Sequence, residues 1–118
     1  MTVLFVYGTL KRGDCRHRLL EGQRFLGEAE TAATYRLFDL GDYPGLVESP
    51  GGVRVAGELY EVADGRLTRI DAEEGVAEGL YRRASVRLVA PPDRPAAETY
   101  LYNGDVSERP ELPGVWTV

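Results

Sequence analysis

Three carboxylates lie within four residues of this chain, at Asp71, Glu73 and Glu74. The apolar residues Leu67 and Ile70 precede them at helical spacing and predict a helix with an inward face. Asp71 and Glu74 are three positions apart, so both fall on that face. Burial of a carboxyl group raises its pKa toward neutrality, where it can both accept and donate a proton. The alternative is that these are solvated surface charges, as acidic side chains mostly are.

A second candidate site follows the apolar run of residues 3–7, which predicts a buried strand. The next segment reads Tyr7, Gly8, Thr9, Leu10. A glycine there lets the chain turn sharply or approach a ligand, and successive backbone amides of such a turn can bind an anion. An ordinary turn that ends a strand is the alternative, since no phosphate-binding glycine motif follows.

Tyrosine and cysteine supply two further hypotheses. Seven tyrosines against three phenylalanines favour a pocket lined by hydroxyl groups, although routine packing explains any single tyrosine. Cys15 lies two positions before His17, and the nearby Arg16 and Arg18 could lower the pKa of its thiol, so a thiol nucleophile is an alternative. That alternative is weak, because catalytic pairs are usually assembled from distant positions.

Composition limits the classes of function. The 118 residues predict one domain, residues 1–118. Fourteen basic residues against nineteen acidic ones, a net charge of −5, argue against nucleic-acid binding. One cysteine excludes an internal disulfide, and one histidine excludes a histidine-rich metal site. The chain has neither 18 consecutive apolar residues nor a basic N-terminal segment, so we expect a cytoplasmic protein without a membrane span.

Predicted strands outnumber predicted helices, and short turns join most neighbours. Helices are expected at 15–21, capped by Asp14, and at 64–74, capped by Asp64 and ended by Gly75. Strands are expected at 3–7, 24–27, 32–40, 53–62, 80–90 and 97–102, with an apolar step at 46–47 and no periodic element after Val106. This pattern predicts an α+β fold with a curved or barrel-like, mainly antiparallel sheet.

Five segments, in order, resemble motifs of the γ-glutamylcyclotransferase-like proteins, in particular the AIG2-like and γ-glutamylamine cyclotransferase branch. They are VYGTLKRG at 6–13, YPGLV at 43–47, VAGELYEV at 55–62, IDAEEG at 70–75 and YRR at 81–83. The resemblance implies a small mixed, mostly antiparallel β-barrel with one or two short helices around a cavity.

The same resemblance implies a reaction and a site. The α-amine of an L-γ-glutamyl group attacks its own γ-carbonyl, which releases 5-oxoproline and a free amine. Glu74 would be the general acid/base, and Tyr7, Gly8, Thr9 and Leu10 would bind the glutamyl group, with Tyr102 a further candidate to orient it. No metal and no cofactor are implied.

Partners follow from the same resemblance. The implied partner is a small γ-glutamyl substrate. We expect no nucleic acid and no membrane as partners. The protein is expected to be a monomer or a homodimer. A non-catalytic module that binds a small acidic metabolite is the alternative function.

Overall fold

Eight strands, one α-helix and one 3₁₀-helix form the fold in the computed structural model, which describes residues 1–117. The elements are β1 (Thr2–Val6), a 3₁₀-helix (His17–Leu20), β2 (Arg24–Thr31), β3 (Tyr35–Asp39), β4 (Pro44–Glu48), β5 (Ala56–Val62), α1 (Asp64–Glu73), β6 (Tyr81–Ala90), β7 (Ala96–Tyr102) and β8 (Glu111–Leu112).

Five of the strands close into a barrel. They are hydrogen-bonded in the order β1-β5-β2-β6-β7, and β7 pairs back with β1. The β1–β7 and β4–β7 pairs are parallel and the other strand pairs are antiparallel. The strands β4, β3 and β8 extend the sheet outward from β7. The predicted small, mixed and mostly antiparallel barrel is therefore confirmed.

Strand β1 is buried on both faces, as its unbroken apolar sequence predicts. Phe5 belongs to one core cluster, which also contains Leu59 and Leu101 from other barrel strands. Leu4 and Val6 belong to the second cluster, which packs against Leu67 and Ile70 of α1. Burial on both sides fixes the end of β1, where the segment Tyr7 to Leu10 begins.

The helix caps differ from the predictions. Ala63, not Asp64, is the N-cap of α1, and Asp64 is its first helical residue, where a carboxylate still complements the positive helix end. The other predicted helix is only the 3₁₀-helix, preceded by Arg16 and not by Asp14. Asp14 instead accepts a hydrogen bond from the backbone N–H of Cys15. Gly75 follows α1 with a φ of 68°, so the predicted helix end is confirmed.

Several strand boundaries also differ. β2 continues to Thr31, because Ala29 and Thr31 face inward between outward-facing glutamates. β3 begins at Tyr35, not at residue 32, and β5 begins at Ala56, not at residue 53. β4 runs from Pro44 to Glu48, where only an apolar step at 46–47 is expected, and β8 is a short strand in the part predicted to have no periodic element.

We expect Gly57→Ala to destabilise the barrel strongly. An added Cβ would lie 2.4 Å from the carbonyl oxygen of Val6 and 2.6 Å from the ring of Phe5, both in the buried strand β1. Such overpacking should lower the free energy of unfolding by about 2–3 kcal/mol, measured by urea denaturation. Gly65→Ala in α1 is the control, since nothing lies within 4 Å of its Cβ, and it should be neutral or slightly stabilising. Equal unfolding midpoints for the two variants would contradict this account of Gly57.

Candidate active site

The three adjacent carboxylates have three different environments. Glu73 is exposed at the end of α1, whereas Glu74, the C-cap residue, is only 9% exposed. Asp71 accepts a hydrogen bond from Tyr100 Oη at 2.6 Å and pairs with Arg83 Nε at 3.0 Å. Asp71 therefore fastens the end of α1 to the barrel, and Glu74 alone of the three lines a cavity.

Burial raises the pKa of Glu74 to about 7. Arg16 opposes the shift, because its Nη1 lies 3.9 Å from Glu74 Oε2 and favours the carboxylate. The negative charge of Glu73 next to it raises the pKa further. A carboxyl group in this state exchanges a proton readily at neutral pH.

The segment that follows β1 turns at the cavity and leaves three of its backbone N–H groups unused. Lys11 N–H donates to the carbonyl of Gly8, and Arg16 N–H donates to the carbonyl of Thr9. Within residues 1–117, no hydrogen-bond partner exists for the backbone N–H groups of Gly8, Thr9 and Leu10. Buried backbone donors are normally paired, so three successive free ones suit a bound anion or carbonyl oxygen.

The hydroxyl group of Tyr7 is used within the protein. It donates to the carbonyl oxygen of Tyr100 at 2.6 Å and accepts from the N–H of Leu46 at 3.3 Å. Burial raises the pKa of Tyr7 well above its ordinary value, so the phenol stays neutral. This side chain ties the end of β1 to β7 and β4 and so holds the following turn in place.

The cavity is narrow, and the empty space within it and in front of its mouth, part of which is open solvent, amounts to about 350 Å³. Its lining is Phe5, Val6, Tyr7, Gly8, Thr9, Leu10, Arg16, Tyr43, Pro44, Glu74, Tyr81 and Tyr100. The structure thus brings together five of the six residues that the sequence singled out. Tyr102 is not among them: its ring packs edge-on against Tyr81, with the ring centres 5.4 Å apart.

Four polar lining residues were not among the six candidates: Arg16, Tyr43, Tyr81 and Tyr100. The three tyrosines were anticipated only as part of a tyrosine set that favours a pocket lined by hydroxyl groups. Tyr43 and Tyr81 begin two of the quoted motifs, which was the available signal. The Tyr81 hydroxyl donates to the carbonyl of Pro44 at 2.7 Å, and burial raises the pKa of Tyr81. The sequence gives no such signal for Arg16, because its only notable feature there is that it adjoins Cys15.

Cys15 and His17 do not form a reactive pair at this cavity. Cys15 is exposed and neither residue lines the cavity. His17 Nδ1 lies 2.9 Å from the carbonyl oxygen of Leu10, and its ring lies 5.8 Å from that of Tyr60. His17 thus contacts the turn at Leu10 without lining the cavity.

Neither a metal site nor a membrane-spanning helix is found in residues 1–117, the part of the chain that the structure describes. No group of three or more His, Cys, Asp or Glu residues is placed to hold a metal ion. No helix is long and apolar enough to cross a membrane.

Comparison with known proteins gives a consistent result. A family model described as "Gamma-glutamyl cyclotransferase, AIG2-like" matches residues 4–118. A Vibrio cholerae protein with the provisional name gamma-glutamylcyclotransferase is 44% identical over 84 residues, 71% of this chain and 70% of that protein. Human gamma-glutamylaminecyclotransferase is 37% identical over 107 residues, 83% of this chain and 69% of the human one. The crystal structure of a mouse AIG2-like protein superposes with a TM-score of 0.71 at 30% identity, covering 88% of this chain and 77% of that one.

Proposed function

The chain belongs to the gamma-glutamyl cyclotransferase, AIG2-like family, and from that premise we propose that it converts an L-γ-glutamyl group to 5-oxoproline and releases a free amine or amino acid. One observation carries the proposal. The buried carboxyl group of Glu74, with its pKa near 7, lines the same cavity as the free backbone N–H groups of Gly8, Thr9 and Leu10.

Glu74 is proposed as the general base and then the general acid. The α-amine of the substrate is largely protonated at neutral pH, so its proton must be removed before the nitrogen can attack. The Glu74 carboxylate takes that proton, and the nitrogen forms a bond to the γ-carbonyl carbon. That proton passes from Glu74 to the departing nitrogen as its bond to that carbon breaks. The new bond leaves the ring nitrogen with a second proton to lose, and Glu74 relays this proton too to the amine, which departs as an ammonium ion. Glu74 ends the cycle ionised, as it began.

The free amides supply the second requirement. Attack on the γ-carbonyl places negative charge on its oxygen, and fixed N–H donors stabilise that charge in a site with little water. The same donors suit the α-carboxylate of the glutamyl group. Because ring closure is intramolecular, holding the substrate folded removes much of the entropic barrier. The reaction as proposed uses no metal and no cofactor.

The direct test is release of 5-oxoproline from a panel of γ-glutamyl compounds. The panel holds γ-glutamyl-ε-lysine, γ-glutamyl-alanine, glutathione and simple γ-glutamylamines. We expect release from at least one compound, unchanged after dialysis against a chelator and after alkylation of the exposed Cys15. A folded protein that releases no 5-oxoproline from any compound would favour the non-catalytic binding module. Loss of activity on alkylation would instead support a thiol enzyme.

The pH dependence of turnover should report the unusual state of Glu74. Because the base must be ionised, activity should fall below a pH of about 7, far above the ordinary range of a glutamate. Arg16→Gln removes a charge that lowers this pKa, so the acid limb should move to higher pH. Glu73→Gln removes a charge that raises it, so the limb should move to lower pH. Shifts in the same direction, or none, would rule out Glu74 as the titrating group.

A further inference from the structure

The cavity has a charged mouth that the proposed reaction does not use. Among its lining residues only Arg16 and Tyr43 are half-buried, and all the others are buried. These two side chains therefore form the solvent-facing part of the cavity. The guanidinium carbon of Arg16 lies 5.9 Å from the centre of the Tyr43 ring.

The hydrogen-bond donors of the Arg16 side chain are unused. Within residues 1–117, its guanidinium makes no hydrogen bond, and the carboxylate oxygen nearest to it, Glu74 Oε2, is 3.9 Å away. Other arginines of the chain do spend their donors: Arg83 binds both Asp71 and Glu98, and Arg36 binds Glu111. A guanidinium presents donors in a planar fork that matches a carboxylate, so Arg16 is available for a carboxylate from solution.

Building on the proposed function, we propose that Arg16 recognises a carboxylate on the leaving amine, so that the preferred substrates are γ-glutamyl amino acids or peptides. The glutamyl group occupies the buried end of the cavity, where the free N–H groups of Gly8, Thr9 and Leu10 donate hydrogen bonds to its α-carboxylate. The amine that leaves then points toward the mouth. A carboxylate on that amine meets the guanidinium, whereas a simple alkylamine leaves the guanidinium facing water.

A matched pair of substrates isolates this contact. γ-Glutamyl-alanine and γ-glutamyl-ethylamine differ only in the carboxylate of the leaving amine. The wild type should show a kcat/KM about tenfold higher for the alanine compound, mainly through KM, which is the size of one partly exposed charge-assisted hydrogen bond. Arg16→Gln should remove that preference, so that within this variant the two compounds have equal kcat/KM. Assays at pH 9 keep Glu74 ionised in both proteins.

The control variant is Arg18→Gln. Arg18 is an exposed arginine in the 3₁₀-helix that Arg16 precedes, and it does not line the cavity. It undergoes the same change of charge and should keep the tenfold preference. If Arg16→Gln lowers kcat/KM equally for both substrates, the arginine acts on the glutamyl group or on Glu74, and the proposal is wrong. A preference that survives Arg16→Gln overturns it as well.

Binding of unreactive analogues separates this inference from the proposed function. Glutaryl-alanine and glutaryl-ethylamide lack only the attacking α-amine, so they cannot cyclise. Calorimetry should show tighter binding of glutaryl-alanine to the wild type and to Arg18→Gln, and equal binding of the two compounds to Arg16→Gln. If this binding preference were found but no 5-oxoproline were released, the role of Arg16 would be supported and the proposed catalysis would be refuted. If 5-oxoproline were released but the two analogues bound equally to the wild type, the proposed catalysis would be supported and the role of Arg16 would be refuted.

Discussion

Glu74→Gln is expected to lower kcat for 5-oxoproline release by about 1,000-fold, the usual range for removal of a general acid/base. Glutamine keeps the shape of the side chain and fits the same buried position at the end of α1. It cannot take the proton from the α-amine or return it to the leaving nitrogen. The loss should therefore appear in kcat, with KM nearly unchanged. Steady-state assays together with a circular dichroism spectrum test this result.

Glu73→Gln is the matched control, because it makes the same substitution one residue earlier on the exposed side of α1. This variant should retain nearly full kcat at a pH above the acid limb. If both variants lost activity equally, the cause would be the helix end in general. If Glu74→Gln retained turnover, Glu74 would have no part in proton transfer.

The same substitution should change how stability depends on pH. In the folded wild type the pKa of Glu74 is raised from 4.5 to about 7. Its folded state therefore holds a proton more tightly than the unfolded chain, and the wild type loses stability as pH rises from about 4.5 to about 7. The expected loss is about 3 kcal/mol at most. Glutamine does not titrate. The free energy of unfolding of Glu74→Gln, relative to that of the wild type, should therefore increase as pH rises across that interval.

The architecture was predictable because the signals for it are local. The unbroken apolar run of β1 and the period of Leu67 and Ile70 in α1 each follow from a few neighbouring residues. The strand β8 has no such signal, since two residues cannot show a period, and it exists only because β3 offers an open edge. The signal for a helix cap is equally local. The observed N-cap Ala63 is only one residue before the predicted N-cap Asp64, and sequence patterns do not resolve a difference that small.

The site divides in the same way. Glu74 and the Tyr7–Leu10 turn were candidates because residues next to them in the sequence form clear patterns. These are the helix pattern before Glu74 and the apolar run that ends at the turn. Arg16 reaches the cavity only because residues 14–20 fold back against α1, a contact between distant parts of the chain. Tyr102 lies on the same face of β7 as the cavity-lining Tyr100, since the two are two residues apart. Tyr102 is about 7 Å further along the strand than Tyr100, and only the register of the barrel determines which of the two lines the cavity.

The second large effect is expected from Gly8→Ala. Gly8 does not have a positive φ, so its backbone conformation is open to alanine, and space alone is the obstacle. An added Cβ would lie 2.7 Å from Pro44 Cγ and 2.8 Å from Pro44 Cδ. Pro44 is buried, so the turn that carries the free amides must move instead. A displacement of this kind should lower kcat/KM for 5-oxoproline release by about 100-fold.

The clash is with one side chain, so its removal should restore activity. Pro44→Ala deletes Cγ and Cδ but keeps the carbonyl oxygen that accepts the hydrogen bond from Tyr81. Alone, it should lower kcat/KM only a few-fold, and in the double variant Gly8→Ala/Pro44→Ala it should recover at least tenfold of the loss. Recovery would show that two distant motifs meet at Gly8 to set the position of the amide donors. A double variant as inactive as Gly8→Ala would mean that contact with the substrate, and not packing against Pro44, requires glycine at this position.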